Sequence, residues 1–480
     1  MPVPSSIRRA GVIAGHVVRS VVAHDEPDQN LVRAFADLAE ALPTPEALAA
    51  KGASISAVAT TPDFHPGKPV PVGVVADVDG AVLPHMIGSD IGCGMRMIVL
   101  DDVTVEDLAA SDLDGQLRHL FFQGGRDIAL TGRNRSAILR EGLPGLLESL
   151  GDTRLGLLAK LDMTGAWADL DRQSDMGVFA SAGVDPDFED YARLDDSHRR
   201  DAILGTIGGG NHFVEFGAVE HIADGAFARA AGLKPGAVVV VVHSGSLDFG
   251  QRVGTAMKEK LRADARAGAD WRVLSQDMQP DLFERYMMGH ANAVNAAFAN
   301  RFLIGLIAVE ALARTLNRTV AHRLVYDAPH NTVWRHGDRI RHRKGACPAR
   351  GASAMAGGPY QWFGEPVILP GSMGDGSWLL CGQGADETLH SSAHGAGRKL
   401  SRQGARAETD LSPALRVIGP VDPRSPMLQG RRDILADLQS RLHEEAPGAY
   451  KPIESVVDPM EAAGVVTRVA KVRPVLTVKG

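Results

Sequence analysis

The amino-acid sequence predicts an α/β protein in which most of the 480 residues form one interleaved domain. The valine run at 237–242 has the length and composition of a buried strand. Apolar residues recur at helical spacing in 28–50 and in 281–316. Loops rich in glycine and polar residues recur from residue 63 to the end, with no internal repeat or long linker between them. We therefore expect a single domain over 1–480, although length alone predicts about three domains.

The composition is that of an ordinary globular protein. Hydrophobic residues make up 44% of the chain and charged residues 23%, which excludes disorder on a large scale. The formal net charge is -7, so a nucleic-acid partner would require a local basic patch. Three cysteines provide no disulfide framework and indicate a reducing compartment.

The N-terminal ten residues contain no apolar segment of the secretory kind. No stretch approaches the length of a membrane span, and the apolar runs at 237–242 and 302–309 are short enough for a core strand and part of a buried helix. We therefore expect a cytoplasmic protein.

The first third of the chain contains two pairs of candidate site residues. After two predicted helices separated at Pro43, a strand from residue 57 is expected to end in a Pro/Gly loop that displays Asp63 and His65. Asp63 is either a site residue or a turn cap. Asp90 and Cys93 then lie three residues apart among glycines. A thiolate beside a carboxylate suits a divalent transition metal, while a buried cysteine beside a turn-forming aspartate is the structural alternative.

Three histidines stand beside predicted strands. His212 follows three consecutive glycines, His243 ends the valine strand, and His330 follows another strand and precedes Asn331. Strand ends are where α/β proteins commonly build their sites, although a lone histidine there is more often a satisfied core residue.

Three further segments suit phosphate. The run 335–344 is the most basic in the chain and predicts a phosphate or RNA track, or else a solvated hairpin. The glycine and hydroxyl loop at 368–377 can cradle phosphate with its amides. In 392–402, His394 is followed by two glycines and three cations, which can hold a phosphate near the imidazole, or else form a glycine-capped surface turn.

The last residues from 464 are strand-like and are expected to be tied into the fold. Five potential metal ligands, Asp90, Cys93, His212, His243 and His330, are far apart in sequence. If they meet, most of the chain must form one domain.

Seven motifs together resemble the RtcB family of RNA-splicing ligases from about residue 57 to 480. They are DIGCGM at 90–95, GTIGGGNHFVEF at 205–216, HSGS at 243–246, YDAPHN at 326–331, HRKGA at 342–346, PGSMG at 370–374 and HGAGR at 394–398. The terminal VKG is also similar to that family's end. Each motif alone is weak, but seven in order are specific.

The resemblance implies a compact α/β domain with mixed β-sheets surrounded by helices. It also implies a ligase that uses GTP and two Mn²⁺ ions to join RNA ending in a 2′,3′-cyclic phosphate or 3′-phosphate to RNA with a 5′-hydroxyl, in tRNA splicing or RNA repair. Some relatives are assisted by a small activating protein, archease, so an archease-like partner is expected.

The resemblance assigns roles to individual residues. His394 would attack the α-phosphate of GTP and carry GMP, and that GMP would then activate the RNA 3′-phosphate. Cys93 would bridge one metal held by Asp90 and His212 and a second held by His243 and His330. The expected guanylate contacts are Asn211, His212, Phe213, Val214, Glu215, His330, Asn331, Pro370, Gly371, Ser372, Met373, Ser377, His394, Gly395, Ala396, Gly397 and Lys479.

Two departures from the family pattern concern RNA-end binding. Leu247 and Asp248 follow HSGS in place of the usual Arg-Gly, and Cys347 and Pro348 follow HRKGA in place of a small hydroxyl residue and an arginine. Two alternatives therefore remain: a two-metal RNA-end phosphoesterase or cyclic phosphodiesterase without ligation, and a non-catalytic RNA-binding protein.

Overall fold

The computed structural model describes residues 8–21, 29–110, 112–265, 270–408, 415–423, 425–426 and 431–480. The strands in these residues are β1 (Arg8–Ile13), β2 (His16–Val21), β3 (Ser54–His65), β4 (Val72–Asp79), β5 (Ala81–Val82), β6 (Gly94–Leu100), β7 (Ala129–Leu130), β8 (Arg199–Arg200), β9 (Phe213–Ile222), β10 (Val238–Ser244), β11 (Leu274–Ser275), β12 (His322–Pro329), β13 (Asn331–His336), β14 (Arg339–Lys344), β15 (Ala346–Pro348), β16 (Pro366–Leu369), β17 (Ser377–Gly382), β18 (Ser391–Ala393), β19 (Val417–Ile418) and β20 (Val466–Val478).

The helices of the same residues are α1 (Gln29–Ala41), α2 (Pro45–Ala49), α3 (Pro84–Ile87), α4 (Leu113–Phe122), α5 (Gly132–Ser149), α6 (Met163–Ala168), α7 (Gly225–Ala231), α8 (Asp248–Ala265), α9 (Pro280–Leu316), α10 (Arg402–Glu408), α11 (Arg432–Glu444) and α12 (Glu454–Ala462). The predicted helix break at Pro43 is confirmed, since α1 ends at Ala41 and Thr44 caps α2. Because proline supplies no backbone N–H, the first helix cannot continue through this position.

Two larger sheets organise the chain. One is six-stranded, in the order β1-β2-β3-β4-β14-β13. The other is eight-stranded and follows β12-β6-β10-β9-β20-β17-β16, with β19 beside β20. Most neighbouring strands are antiparallel, while β2–β3 and β19–β20 are parallel. The expected mixed α/β fold is confirmed.

The predicted valine strand is the buried centre of the larger sheet. Strand β10 lies between β6 and β9 and is buried along its whole length. Val238, Val240 and Val242 belong to the hydrophobic core that contains α9, whereas Val239 and Val241 belong to a second core on the other face. Because successive side chains point to opposite faces, a strand covered on both faces reads as a continuous apolar run.

The expectation that no stretch approaches the length of a membrane span was wrong for the central helix α9. Of the residues that the structure describes, this one helix is long and apolar enough to cross a membrane. However, 89% of its most apolar window is buried inside the protein, which is the pattern of a core helix.

Two local expectations were wrong. Asp63 and His65 are not displayed on a loop, because β3 continues to His65 and Asp63 is completely buried. The basic run forms a hairpin of β13 and β14, as one alternative predicted, but Arg341 and Arg343 are buried and the hairpin is not simply solvated. Because both side chains are buried, their polar groups need internal partners. The predicted C-terminal strand is confirmed as β20, which pairs with β17 and β9.

Candidate active site

Five candidate metal ligands meet at one edge of the larger sheet. Asp90 and Cys93 immediately precede β6, and His212 precedes β9. His243 lies near the end of β10, and His330 follows β12. Because β10 is antiparallel to β6 and β9, and β12 is antiparallel to β6, the ends of β10 and β12 lie beside the beginnings of β6 and β9. Residues separated by 240 positions in sequence therefore become neighbours.

The five side chains form two groups that share Cys93. One group is Asp90, Cys93 and His212, and the other is Cys93, His243 and His330; within each group the ligand atoms lie within 4.8 Å of one another. Cys93 Sγ lies 3.3 Å from His212 Nε2 and 3.2 Å from His243 Nε2. His212 Nε2 lies 3.4 Å from an Asp90 carboxylate oxygen. This geometry can hold two divalent cations bridged by one thiolate.

Backbone carbonyls orient two of the imidazoles. His212 Nδ1 lies 3.1 Å from the Ile207 carbonyl oxygen, and His243 Nδ1 lies 3.1 Å from that of Asn211. A proton held on Nδ1 leaves the Nε2 lone pair directed toward Cys93. This is how metal-binding histidines are commonly oriented.

The electrostatics of the group favour neutral imidazoles. Burial, followed by the neighbouring imidazoles, lowers the pKa of His243 and His330 well below the usual range. Burial, followed by Asp90, raises the pKa of the Cys93 thiol well above its usual range. Burial also raises the pKa of Asp90, but His212 and Cys93 outweigh this effect and leave it below its ordinary value.

The donor set fits a transition metal. Cys93, His243 and His330 are buried, and the Nδ1 atom of His330 has no hydrogen-bond partner in the part of the chain that the structure describes. Thiolate, imidazole and carboxylate together suit zinc at least as well as manganese, so the choice of ion would rest on availability and geometry. A bound divalent cation would also reverse the preference of Cys93 for the thiol, because a coordinating thiol is deprotonated.

A buried arginine from α9 holds the loops that carry two of these ligands. Arg301 is completely buried, and its Nη1 donates to the carbonyl oxygens of Gly92 at 2.6 Å and Ser244 at 3.1 Å. Its Nε donates to Asp327 Oδ1 at 2.8 Å, and Asp327 also pairs with Arg96 at 3.2 Å. Since Gly92 precedes Cys93 and Ser244 follows His243, this one guanidinium fixes both ligands from behind.

The candidate nucleophile His394 is held by Asp63. The His394 Nδ1 atom lies 2.6 Å from Asp63 Oδ2, and the His394 amide donates to the same oxygen at 3.1 Å. Burial raises the pKa of Asp63, but His394 and the Thr61 hydroxyl outweigh it, so this pKa lies below its usual value. An ionised Asp63 accepts a hydrogen bond from the protonated Nδ1 of His394. The proton therefore stays on Nδ1, and the Nε2 lone pair of His394 is available. The His394 ring centroid is 4.9 Å from that of His330, which places the imidazole beside the metal ligands.

These side chains line a cavity of about 290 Å³. The sequence-predicted residues that line it are His65, Asp90, Cys93, Asn211, Phe213, Glu215, His243, His330, Asn331, Pro370, Gly371, Ser372, Met373, His394, Gly395, Ala396, Gly397, Arg398 and Lys479.

Of the predicted metal ligands and guanylate contacts, three do not line the cavity. His212 lies behind Cys93 and Asp90. Val214 is a buried residue of β9, and its side chain is part of the hydrophobic core. Ser377 is also buried, and its hydroxyl accepts the Gly371 amide at 3.4 Å, so it shapes the 370–376 loop from outside the cavity.

Another part of the cavity wall combines a carboxyl group with cations. Burial raises the pKa of Glu215 to about 8, and the Thr477 hydroxyl donates to Glu215 at 3.3 Å. The Lys479 ammonium lies 3.7 Å from Glu445 Oε2, and Arg398 lies 3.3 Å from Glu445 Oε1. This wall can bind the polar edge of a base through a carboxyl group and an ammonium.

Sequence reasoning did not assign a role to several residues around the cavity. Glu445 and Tyr450 line it but lie in a segment without a recognisable motif. Lys344 also lines it, although the basic run pointed only to a general phosphate track. Arg301 lay in an apolar helical pattern interpreted as core packing. A charged residue inside such a pattern was the available signal, because a buried arginine requires partners.

The residues that depart from the family pattern lie in two different places. Leu247 adopts a positive φ of 52°, and Asp248 pairs with Arg252 at 2.6 Å at the start of α8. The acid at 248 is thus neutralised locally. Cys347 is buried, and Pro348 lines a second groove rather than the candidate active site.

The chain is similar to a family described as tRNA-splicing ligase RtcB, whose sequence profile matches residues 46–480. It is 32% identical to the tRNA-splicing ligase RtcB of Thermococcus kodakarensis, over 87% of this chain and 86% of the relative. The proteins of that name from Pyrobaculum aerophilum and Archaeoglobus fulgidus are each 30% identical to it over 87% of this chain, and the match covers 87% and 86% of their lengths. The similarity begins upstream of residue 57, where the motifs suggested its start.

Proposed function

The chain belongs to the tRNA-splicing ligase RtcB family, and from this we propose that it is an RNA ligase. We propose further that it joins a 2′,3′-cyclic phosphate or 3′-phosphate RNA end to a 5′-hydroxyl end, using GTP. The observation that carries this proposal is the hydrogen bond from His394 to the buried Asp63, beside two potential metal groups that share Cys93.

His394 is the proposed nucleophile. Its Nε2 lone pair attacks the α-phosphorus of GTP, a P–N bond forms, the bond to the bridging oxygen breaks, and pyrophosphate leaves. Asp63 holds the Nδ1 proton and stabilises the positive charge that develops on the ring during attack, as an orienting carboxylate does for a catalytic histidine. GMP is then transferred from His394 to the RNA 3′-phosphate, which regenerates the imidazole. The 5′-hydroxyl finally attacks the activated phosphate and expels GMP. A cyclic phosphate end must first be opened to the 3′-phosphate by addition of water.

The proposed metal ligands are Asp90, Cys93, His212, His243 and His330, with Mn²⁺ as the proposed ion. Divalent cations held by these residues would orient the triphosphate and offset charge that develops in the displacement. The chain's own part is to supply a neutral, oriented donor set, which the carbonyl contacts of His212 and His243 support.

The proposed guanine-binding wall consists of Glu215 and Lys479. Burial favours the protonated Glu215 in the protein without a ligand, whereas guanine would favour the carboxylate, which could accept its ring N–H and amino donors. The Lys479 ammonium could donate to the carbonyl oxygen of guanine. Adenine has the opposite polarity at these positions, so the pair would favour GTP over ATP. The loops at 370–373 and 395–397 line the same cavity with small residues and backbone amides, which suits a ribose phosphate.

The proposed substrate is RNA with a 3′-phosphate or 2′,3′-cyclic phosphate end and RNA with a 5′-hydroxyl end. An archease-like protein is the proposed activator.

The test of the proposal is guanylylation of His394. Purified protein is incubated with Mn²⁺ and GTP labelled at the α-phosphate, and label that survives denaturation is measured, with His394→Ala as the control. We expect an acid-labile, alkali-stable adduct that the variant lacks. The absence of an adduct from metal-loaded protein, even with archease, would contradict the ligase proposal. Turnover of RNA phosphate ends without GTP would support a phosphoesterase, and RNA binding indifferent to GTP and Mn²⁺ a non-catalytic protein.

A further inference from the structure

A second groove, of about 580 Å³, lies on the opposite face of strand β14 from the candidate active site. Lys344 lines the candidate active site, whereas its neighbour Arg343 lines this groove. Successive side chains of a strand point to opposite faces, so one strand separates the two sites. The groove contains the basic run that the proposed reaction leaves without a role.

The groove is rich in guanidinium groups. Its lining includes Arg339, Arg341, Arg343 and Arg350, together with the carboxylates of Asp79 and Asp338. Three of the arginines have acidic partners, in the pairs Arg341–Asp77 at 2.7 Å, Arg350–Glu365 at 2.8 Å and Arg339–Asp79 at 3.6 Å. The fourth arginine of the lining is Arg343.

Arg343 has no carboxylate within 4.0 Å in the part of the chain that the structure describes, although it is only 2% exposed. Its Nε donates to Ser391 Oγ at 2.8 Å, and Nη2 donates to the His390 carbonyl oxygen at 3.4 Å. Its Nη1 has no hydrogen-bond partner among the described residues. The guanidinium carbon lies 4.8 Å from the centre of the Trp334 ring.

Glu365 and Asp77 attract Arg343 only from beyond contact distance, and Arg341 and Arg350 oppose them. A buried cation with no carboxylate in contact is costly, so an incoming anion would provide the missing direct partner. Burial lowers the pKa of Arg343 to about 9, which still leaves the group charged at neutral pH. A guanidinium presents parallel N–H donors that match the oxygens of a phosphate.

We propose that this groove binds a backbone phosphate of an RNA chain through Arg343, as a binding site separate from the candidate active site. The inference that this phosphate belongs to RNA rests on the proposed function. The position agrees with it, because Ser391, the hydrogen-bond partner of Arg343, lies three residues before His394. Three residues of chain span at most about 11 Å. The two sites are therefore close, and an RNA strand with its end near His394 would enter the groove by passing round β13, the edge strand beside β14.

The test is equilibrium binding of a labelled single-stranded RNA with a 3′-hydroxyl end, which offers no phosphate for ligation. Fluorescence anisotropy is measured over a salt series, without GTP, for the full chain and for Arg343→Gln and Arg339→Glu. Arg133→Glu is the matched control, because Arg133 lies on α5 and, among the residues that the structure describes, its ion pair is an exposed one with Asp196 at 3.4 Å. Far-ultraviolet circular dichroism establishes that each variant is folded.

Loss of one phosphate contact should lower RNA affinity about five- to tenfold at low salt and reduce the slope of log K against log salt by about 0.7. Arg339→Glu should weaken binding at least as much, because it places a negative charge in the groove, and Arg133→Glu should match the wild type. Wild-type affinity and slope in folded Arg343→Gln would overturn the proposal. If Arg343→Gln does not fold, wild-type binding by Arg339→Glu would overturn it instead.

Inorganic phosphate is tested separately through the shift in melting temperature. If phosphate stabilises the wild type more than Arg343→Gln while RNA affinity is equal in both, the groove binds a free anion and the proposed RNA contact is wrong. Labelling of His394 by GTP is measured on the wild type in parallel. Failure of the ligase proposal appears in that assay, whereas failure of the groove proposal appears only in RNA binding.

Discussion

The buried carboxylate of Asp63 lies 2.6 Å from Nδ1 of His394, although 331 residues separate the two in sequence. Asp63 also accepts a hydrogen bond from the Thr61 hydroxyl at 2.5 Å and from the backbone amide of His394 at 3.1 Å. These contacts fix the carboxylate in one orientation. The side chain of His394 is consequently held with its other ring nitrogen available, which is the arrangement that a nucleophilic imidazole needs.

Replacing Asp63 with asparagine should slow guanylylation of His394 by about 100-fold or more, because the amide can no longer hold the imidazole in the required tautomer. The measurement is the single-turnover rate of label transfer from GTP, together with the affinity for GTP. A positioning role predicts a lower rate with nearly unchanged GTP affinity. Asp37→Asn is the control, since Asp37 forms a surface pair with Arg33 at 4.0 Å and does not line the cavity. Equal loss of rate and binding in the Asp63 variant would contradict a positioning role.

Substitution of the candidate metal ligands should separate the two groups. The wild type should bind two Mn²⁺ ions, His330→Ala should weaken one site, and Cys93→Ala should weaken both, because Cys93 belongs to both groups. We expect each loss to be at least about tenfold in affinity. Electron paramagnetic resonance of free Mn²⁺ during a titration measures the number of sites and their affinities. His221→Ala, an exposed position on β9, should retain both ions. If Cys93→Ala retained one site at full affinity, a bridging role for the thiolate would be excluded.

Glu215 should make the free energy of unfolding depend on pH. Burial raises its pKa to about 8 in the folded protein, while an unfolded glutamate has a pKa of about 4.3. The folded state therefore binds the extra proton between these values, and stability falls as pH rises through this window. Relative to Glu215→Gln, the wild type should lose on the order of 4 kcal/mol between about pH 5 and pH 8.

Urea unfolding of both proteins across that pH range measures this difference. Glu284→Gln is the control, because Glu284 is exposed and pairs with Arg335 at 3.4 Å on the surface. The difference between the wild type and this control should be independent of pH. A flat difference for Glu215→Gln as well would mean that Glu215 is ionised in the folded protein.

Replacement of Arg301 should destabilise the fold and the metal groups together. Arg301→Met leaves Asp327 as a buried carboxylate with Arg96 as its remaining partner, so we expect a loss of about 3–5 kcal/mol in the free energy of unfolding. The pair of exposed Arg314 with Glu310 at 2.7 Å provides the comparison. Because Glu310 keeps Lys160 as a partner at 2.6 Å, Arg314→Ala should cost less than about 1 kcal/mol. Denaturant unfolding measures both variants. Mn²⁺ affinity should fall in Arg301→Met alone, and unchanged affinity would show that the two loops hold their positions without the guanidinium.

Much of the local structure was predictable because it depends on short-range patterns. The break at Pro43, the valine strand β10, the long helix α9 and the C-terminal strand β20 all follow from proline chemistry or from hydrophobic periodicity. That residues 1–480 form one domain stays a prediction. Asp63 was placed incorrectly on a loop, because Pro62 and Pro66 favour a turn in sequence terms, whereas pairing within the sheet extends β3 to His65.

By itself, the sequence determined the family and the chemical types available: a histidine among glycines, a cysteine near a carboxylate, and histidines beside strand ends. Tertiary structure alone decided which of these groups touch, because antiparallel pairing of β6 with β10 and β12 brings distant loops to one sheet edge. It also decided the partners of Asp63, Arg301 and Arg343. Their roles depend on burial and on contacts across long sequence separations, and no local pattern encodes how a buried charge is compensated.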